Sequence, residues 1–263
     1  MKIALAAATG LLVMSNVALA SDPQLQFSAR VGPSLGMYTQ DSEFAFRLFD
    51  NNGDELEGFT TEFNGDTENS YGIQTGLSSA YGDFFTDLAI EYQMVDTDTD
   101  AKLDRTDILL SVGSLVGDHM SFFAGYRRGM QGDGAFNDDT FSESGLFVGT
   151  GVGGMSMGPI IAGASVAYNL SEAEDFPQRG SSFLYKGISV KLSASLASLP
   201  AHSLQLRYQR FTGDDTVSSE LADASTTPVD IDEDGVADGF FQLDRVDLTE
   251  TYIQLTYLYS FGF

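Results

Sequence analysis

The chain ends in Ile253-Gln254-Leu255-Thr256-Tyr257-Leu258-Tyr259-Ser260-Phe261-Gly262-Phe263, where every odd position is aliphatic or aromatic and the even ones are mostly small or polar. Successive side chains of a β-strand point to opposite faces, so this period of two describes a strand with one oily side. The pattern recurs upstream at Leu25/Phe27/Ala29/Val31, Phe84/Thr86/Leu88/Ile90/Tyr92/Met94, Ile108/Leu110/Val112 and Phe122/Ala124/Tyr126. It returns at Ile160/Ala162/Ala164/Val166/Tyr168, Ile188/Val190/Leu192/Ala194/Leu196 and Leu204/Leu206/Tyr208. Each run is about the ten residues that a tilted strand needs to cross a bilayer. No helical stripe of comparable length competes with it.

The connections decide what kind of sheet these strands form. Short turns at Ala80 to Asp83, Val116 to His119, Met155 to Gly158 and Ala197 to Ala201 take turns with long, polar, acidic connections. A soluble sandwich has no reason to sort its loops this way; a barrel with tight turns on one side of a membrane and long loops on the other does. The expectation is an all-β fold: a transmembrane antiparallel up-and-down β-barrel of about ten strands. An even count lets the first strand pair with the last and leaves no unpaired edge in lipid. The segment from Phe44 to Phe63, around Asp50-Asn51-Asn52-Gly53, leaves an alternative open. It is either a hairpin extending the first two strands above the membrane or an extra pair that makes twelve.

Composition narrows the function. The 263 residues carry 38 Asp and Glu against 13 Lys and Arg, a formal charge of −25, with 20 Phe, 11 Tyr and no Cys or Trp. Such a polyanion repels nucleic acid. Without cysteine there is no disulfide framework, thiolate metal site or thiol nucleophile. Residues 1–20 read as an export signal: Lys2, an apolar stretch from Ile3 to Leu12, and Ala18-Leu19-Ala20 ahead of Ser21. Residues 21–263 form the barrel domain, with 12 cations against the same 38 acids.

On these features the sequence resembles the outer-membrane β-barrel proteins of Gram-negative bacteria, with a porin-like cast and no narrower family. The resemblance implies a place in the outer membrane, contact with its lipid and lipopolysaccharide, and small solutes as the cargo. Tyr257-x-Tyr259-x-Phe261-x-Phe263 looks like the C-terminal signature that the barrel-assembly machinery reads, which makes Phe263 the contact for that partner.

One stretch challenges this reading. Ser144 to Ser171 holds no charge and is long enough for a spanning helix. Its seven glycines and Pro159 weaken a helix badly, so it reads as two strands around the Met155 to Gly158 turn. Gly149-Thr150-Gly151-Val152-Gly153-Gly154 formally matches a dinucleotide fingerprint, but that needs a helix directly after the glycines. The glycines instead line a crowded barrel interior.

Opposite parity then names the lumen: Arg30, Asp87, Glu91, Asp107, Arg127, Lys191 and Arg207, with Gln74, Gln205 and, where the alternation slips by one residue, Glu250. Acid and base are nearly balanced there. Such charges either pair with one another as a plug or stay hydrated as the wall of a pore. Small inward residues such as Gly76, Gly113, Gly125 and Gly187 leave room for water. The expectation is a narrow channel for small cationic or neutral solutes, because acidic loops ring its mouth. The alternative is a non-conducting structural or surface-interaction barrel whose acidic loops bind divalent cations.

No cofactor is required, but two acidic runs have the spacing of a calcium loop. Asp230, Asp232, Asp234 and Asp238 occupy positions 1, 3, 5 and 9 with Gly235 at 6, although Phe241 replaces the bidentate Glu at 12. Weak extracellular calcium binding is the expectation. Asp96, Asp98, Asp100 and Asp104 repeat the spacing without the glycine. Catalysis is not expected: His119 and His202 both fall in short turns, and their neighbours Asp118 and Ser203 point to opposite faces.

Overall fold

The computed structural model describes residues 6–8, 11–14, 25–96, 104–132, 141–174, 182–216, 227–229 and 239–262. Ten long strands build the barrel. They are β1 (Gln26–Asp50), β2 (Glu68–Tyr81), β3 (Phe84–Asp96), β4 (Asp104–Val116) and β5 (Met120–Gly132). The second half comprises β6 (Phe141–Met157), β7 (Ile160–Glu174), β8 (Ser182–Leu196), β9 (Leu199–Thr216) and β10 (Gly239–Gly262). Each pairs antiparallel with the next in sequence, and β10 pairs back onto β1 from Gly239 opposite Asp50 to Gly262 opposite Ser28. The sheet therefore closes. Within the span read as the export signal, Ala6–Ala8 and Leu11–Met14 pair as a separate two-stranded ribbon.

Ten is thus the strand count, and the Phe44 to Phe63 segment is the hairpin. β1 is 25 residues long, about 80 Å along its path, and continues far past the bilayer before turning at Asn51–Gly53. Glu55–Asn64 pairs back onto it, and Thr227–Val229 adds to the start of β10. Four strands thereby stand as a sheet above the mouth. Most acids between Asp41 and Glu68 ride on this sheet and not on an irregular loop. At the tip, Asp50 accepts hydrogen bonds from the backbone N–H of Asn52 (2.8 Å) and Asp54 (2.9 Å). These N–H donors, Asp54 first and the Asn52 side chain next, hold the Asp50 carboxyl below its ordinary pKa.

At the other end the turns are tight: Gly82-Asp83, Gly117 to His119, Gly158-Pro159 and Ala197-Ser198. Gly82 and Gly158 take φ of 58° and 64°, which L side chains resist. Neighbouring turns are tied together, with the Ala197 N–H donating to Pro159 O and the Leu115 N–H to Asp83 O, both at 2.8 Å. The charge-free stretch is the β6–β7 hairpin. A bulge between its Ala162 and Ala164 partners holds Gly154 at φ 67°.

Outward side chains form a continuous apolar belt. It runs from Met120 to Tyr126 on β5, from Leu196 to Ile188 on β8, from Leu199 to Tyr208 on β9 and from Phe261 to Ile253 on β10. Above it the outward row turns polar at Arg128, Lys186, Arg210 and Thr251. Among the described residues no helix is long and apolar enough to cross a membrane. Crossing is done by the strands, whose backbone groups are satisfied by their neighbours.

Candidate functional site

Every inward position expected from parity is inward. Alternation on β10 is unbroken from Leu248 to Ser260, so Glu250 faces the lumen in register. The slip expected near it falls instead between Leu243 and Arg245, where β10 leaves the barrel and joins the upper sheet.

Three layers fill the lumen. Toward the periplasm, Ala80, Phe85, Phe123, Phe147 and Ala167 cluster with Leu109 and Leu115. Toward the outside, Tyr38, Phe141, Phe183, Tyr185, Phe211, Leu248 and Tyr252 form a second apolar cluster with Val95 and Ala173. Rings pack within it, Tyr185 stacked on Phe211 at 5.3 Å and Tyr38 tilted against Tyr252 at 4.7 Å between centroids. Charged groups occupy the levels between and beside these clusters.

The seven charged residues singled out from the sequence divide into two groups. In the inner group Arg30 forks onto Asp87, with Nη1 to Oδ1 at 2.6 Å and Nη2 to Oδ2 at 2.8 Å, and Ser78 bonds to both. Arg207 crosses to Glu91 and also donates to Gln254. Lys191 lies beside Arg207 as its direct cross-strand partner. In the outer group Asp107 accepts from Arg127 at 2.9 Å and from Arg105 at 3.2 Å, and Glu143 pairs with both arginines. Glu250 accepts from Tyr38, Tyr185 and Tyr252 and lies 3.5 Å from Arg105. The guanidinium of Arg127 sits 4.2 Å from the centre of the Phe211 ring, and that of Arg105 4.9 Å from Tyr252. All seven are at most 5% exposed. Six of the seven, all but Lys191, answer a charge of opposite sign, and removing either partner would strand an ion in a low-dielectric interior.

Arg105, Glu143 and the tyrosines did not emerge from the sequence, although a signal was present. Arg105 shares the parity of Asp107, and Glu143 that of Phe147, so extending each alternation by one or two steps places them inside. The inward glycines have a different role from the one expected. Five of them do not open the lumen, because a cross-strand side chain lies over each. Gly113 faces the ring of Phe85, Gly125 that of Phe147, Gly149 that of Phe123 and Gly187 that of Phe211, and each pair is directly opposed in register. Arg30 covers Gly76 in the same way.

The remaining candidates are dispersed. Asp230, Asp232, Asp234 and Asp238, like Phe263, lie outside the described residues. So do Asp98 and Asp100; Asp104 is buried and accepts from the Tyr92 hydroxyl at 2.7 Å. His119 Nδ1 is 3.0 Å from Gly153 O. His202 lies just inside β9, which begins at Leu199, and bonds the Tyr257 hydroxyl on the outer face while Ser203 turns inward.

A closed antiparallel barrel, oily outside and polar within, is an integral outer-membrane β-barrel protein, and its place is the outer membrane of a Gram-negative bacterium. No protein-family profile matches the chain, and no curated protein is similar to it. Among solved structures it is similar to the outer-membrane protease OmpT of Escherichia coli, at 10% identity over 89% of this chain and 97% of that one, with a TM-score of 0.41. It is also similar to a FadL homologue of Pseudomonas aeruginosa (9% identity, 89% and 90% covered, TM-score 0.33). A third likeness is to the outer membrane protein OprG of Pseudomonas aeruginosa (15% identity, 91% and 97% covered, TM-score 0.29).

Proposed function

We propose that this protein is a non-conducting outer-membrane barrel that holds an acidic β-sheet above the cell surface, and that this sheet and its loops meet the protein's partners. The observation that supports it is the lumen. Apart from Lys191 its charges are paired with one another, and aromatic layers lie toward both ends. Ten strands sit near the size at which side chains fill a barrel. Planar-bilayer recording tests it: the folded barrel stays silent, and discrete conductance steps would overturn the reading.

A second reading, a narrow channel for small cationic or neutral solutes, draws support from the middle layer. There the side-chain amides of Gln205 and Gln254 and the Nε of Arg207 keep polar atoms without a hydrogen-bond partner. In this reading a rearranged Arg207–Glu91 tie opens a hydrated path, and the acidic sheet favours cations at the mouth. The reading includes no catalytic step and no required cofactor. The proposed surface chemistry is divalent-cation binding, with weak calcium at Asp230 to Asp238. Lipopolysaccharide is the lipid partner, and its phosphates suit the outward Lys186 and Arg210 at the upper edge of the belt.

A further inference from the structure

The inner half of the lumen holds three cations, Arg30, Lys191 and Arg207, against two carboxylates, Asp87 and Glu91, all of them buried. Both carboxylates are already engaged, Asp87 by Arg30 and Ser78 and Glu91 by Arg207. Lys191 is 5% exposed and makes no ion pair within 4.0 Å among the described residues. Glu91 and Asp87 attract it from further away, and Arg207 and Arg30 repel it. A buried ammonium beside a guanidinium, with no carboxylate of its own, is a costly arrangement unless something negative shares the space.

The surrounding wall is built to receive such a guest. Lys191 on β8, Arg207 on β9 and Gln254 on β10 stand in one cross-strand row, and Ser193, Gln205 and Thr256 form the next row toward the periplasm. In these two rows Arg207 Nε, Gln205 Nε2, Gln254 Nε2 and also Gln205 Oε1 have no hydrogen-bond partner among the described residues, although Gln205 and Gln254 are only 2% and 3% exposed. Three of these four atoms are N–H donors, and only the amide oxygen of Gln205 is an acceptor. Beside Lys191 the inward residues are small: Ser165 is its partner on β7, and Gly163 is the partner of Ser193.

We propose that this wall binds a small monovalent anion of chloride size, held by the Lys191 ammonium and by the N–H groups of Gln205, Gln254 and Arg207. One negative charge cancels the excess of the inner layer. A divalent anion would overshoot it and be repelled by Asp87 and Glu91. An excess of free donors over free acceptors, three N–H groups and the Lys191 ammonium against the one Gln205 Oε1, suits a halide, which only accepts. The inference goes beyond the functional reading above and stands whether or not the barrel conducts.

Two measurements on the folded barrel in zwitterionic detergent test it. Crystals soaked in bromide are expected to show an anomalous peak within hydrogen-bonding distance of Lys191 Nζ; bromide found only on the protein exterior overturns the proposal. In solution, the midpoint of thermal unfolding is expected to be higher in sodium chloride than in sodium gluconate of equal ionic strength, because a ligand of the folded state stabilises by mass action. Lys191→Met is expected to remove that difference, and Arg245→Gln on the extracellular sheet to retain it. If Lys191→Met does not fold, Gln205→Leu is expected to weaken chloride binding about tenfold. No chloride dependence in the parent, or the same dependence in the variant that folds, overturns the proposal.

Discussion

Arg207 on β9 ties to Glu91 on β3 across the lumen, joining two walls that are 116 residues apart in sequence. Neither strand touches the other through the sheet. The contact exists because the cylinder is narrow enough for one arginine to span it.

Breaking that tie is expected to be expensive. Glu91→Gln alone leaves Arg207 buried without its carboxylate and should destabilise the barrel by about 3–5 kcal/mol. Arg207→Met together with Glu91→Leu should recover most of the loss. Urea unfolding of the parent, the single variant and the double variant in lipid vesicles checks this; a single variant as stable as the parent would show the tie to be ornamental.

Glycine and ring are coupled in the periplasmic cluster. A Cβ at Gly149 falls against the Phe123 ring, so Gly149→Ala is expected to cost about 1–3 kcal/mol through overpacking. In a Phe123→Leu background the same change should cost far less. Additive stabilities across the four proteins of this cycle would contradict the pairing.

The upper sheet has its own pH dependence. Because the folded Asp50 carboxyl is held below its ordinary range, its contribution is fully present above that range and is lost as pH falls through the lowered value. Amide exchange at Asn52 and Asp54 should therefore accelerate on acidification below about pH 4. In Asp50→Ala it should be fast at every pH. Exchange in the parent that ignores pH, after correction for its intrinsic rate, would remove the role given to this carboxyl.

Calcium is expected to act on the connection between β9 and β10. Millimolar calcium should raise the protease resistance of residues 217–238, and Asp232→Asn with Asp234→Asn should abolish the gain. Equal cleavage of the parent with and without calcium would rule the site out.

The sequence by itself determined the barrel: the period of two, the belt of outward apolar residues, the alternation of short and long connections and the inward parity of all seven charged candidates. These are local properties, set by which face of a strand meets lipid, and a strand carries that information without its neighbours. Tertiary structure alone decided what those inward groups do. Parity says that Glu91 and Arg207 look inward; only closure of the sheet at a given diameter makes them meet, while Lys191 is left without a carboxylate partner among the described residues. Likewise an inward glycine reads as empty space until cross-strand register sets Phe123 over Gly149. Register, curvature and the long reach of β1 and β10 above the membrane arise from pairing between distant segments, which no single strand encodes.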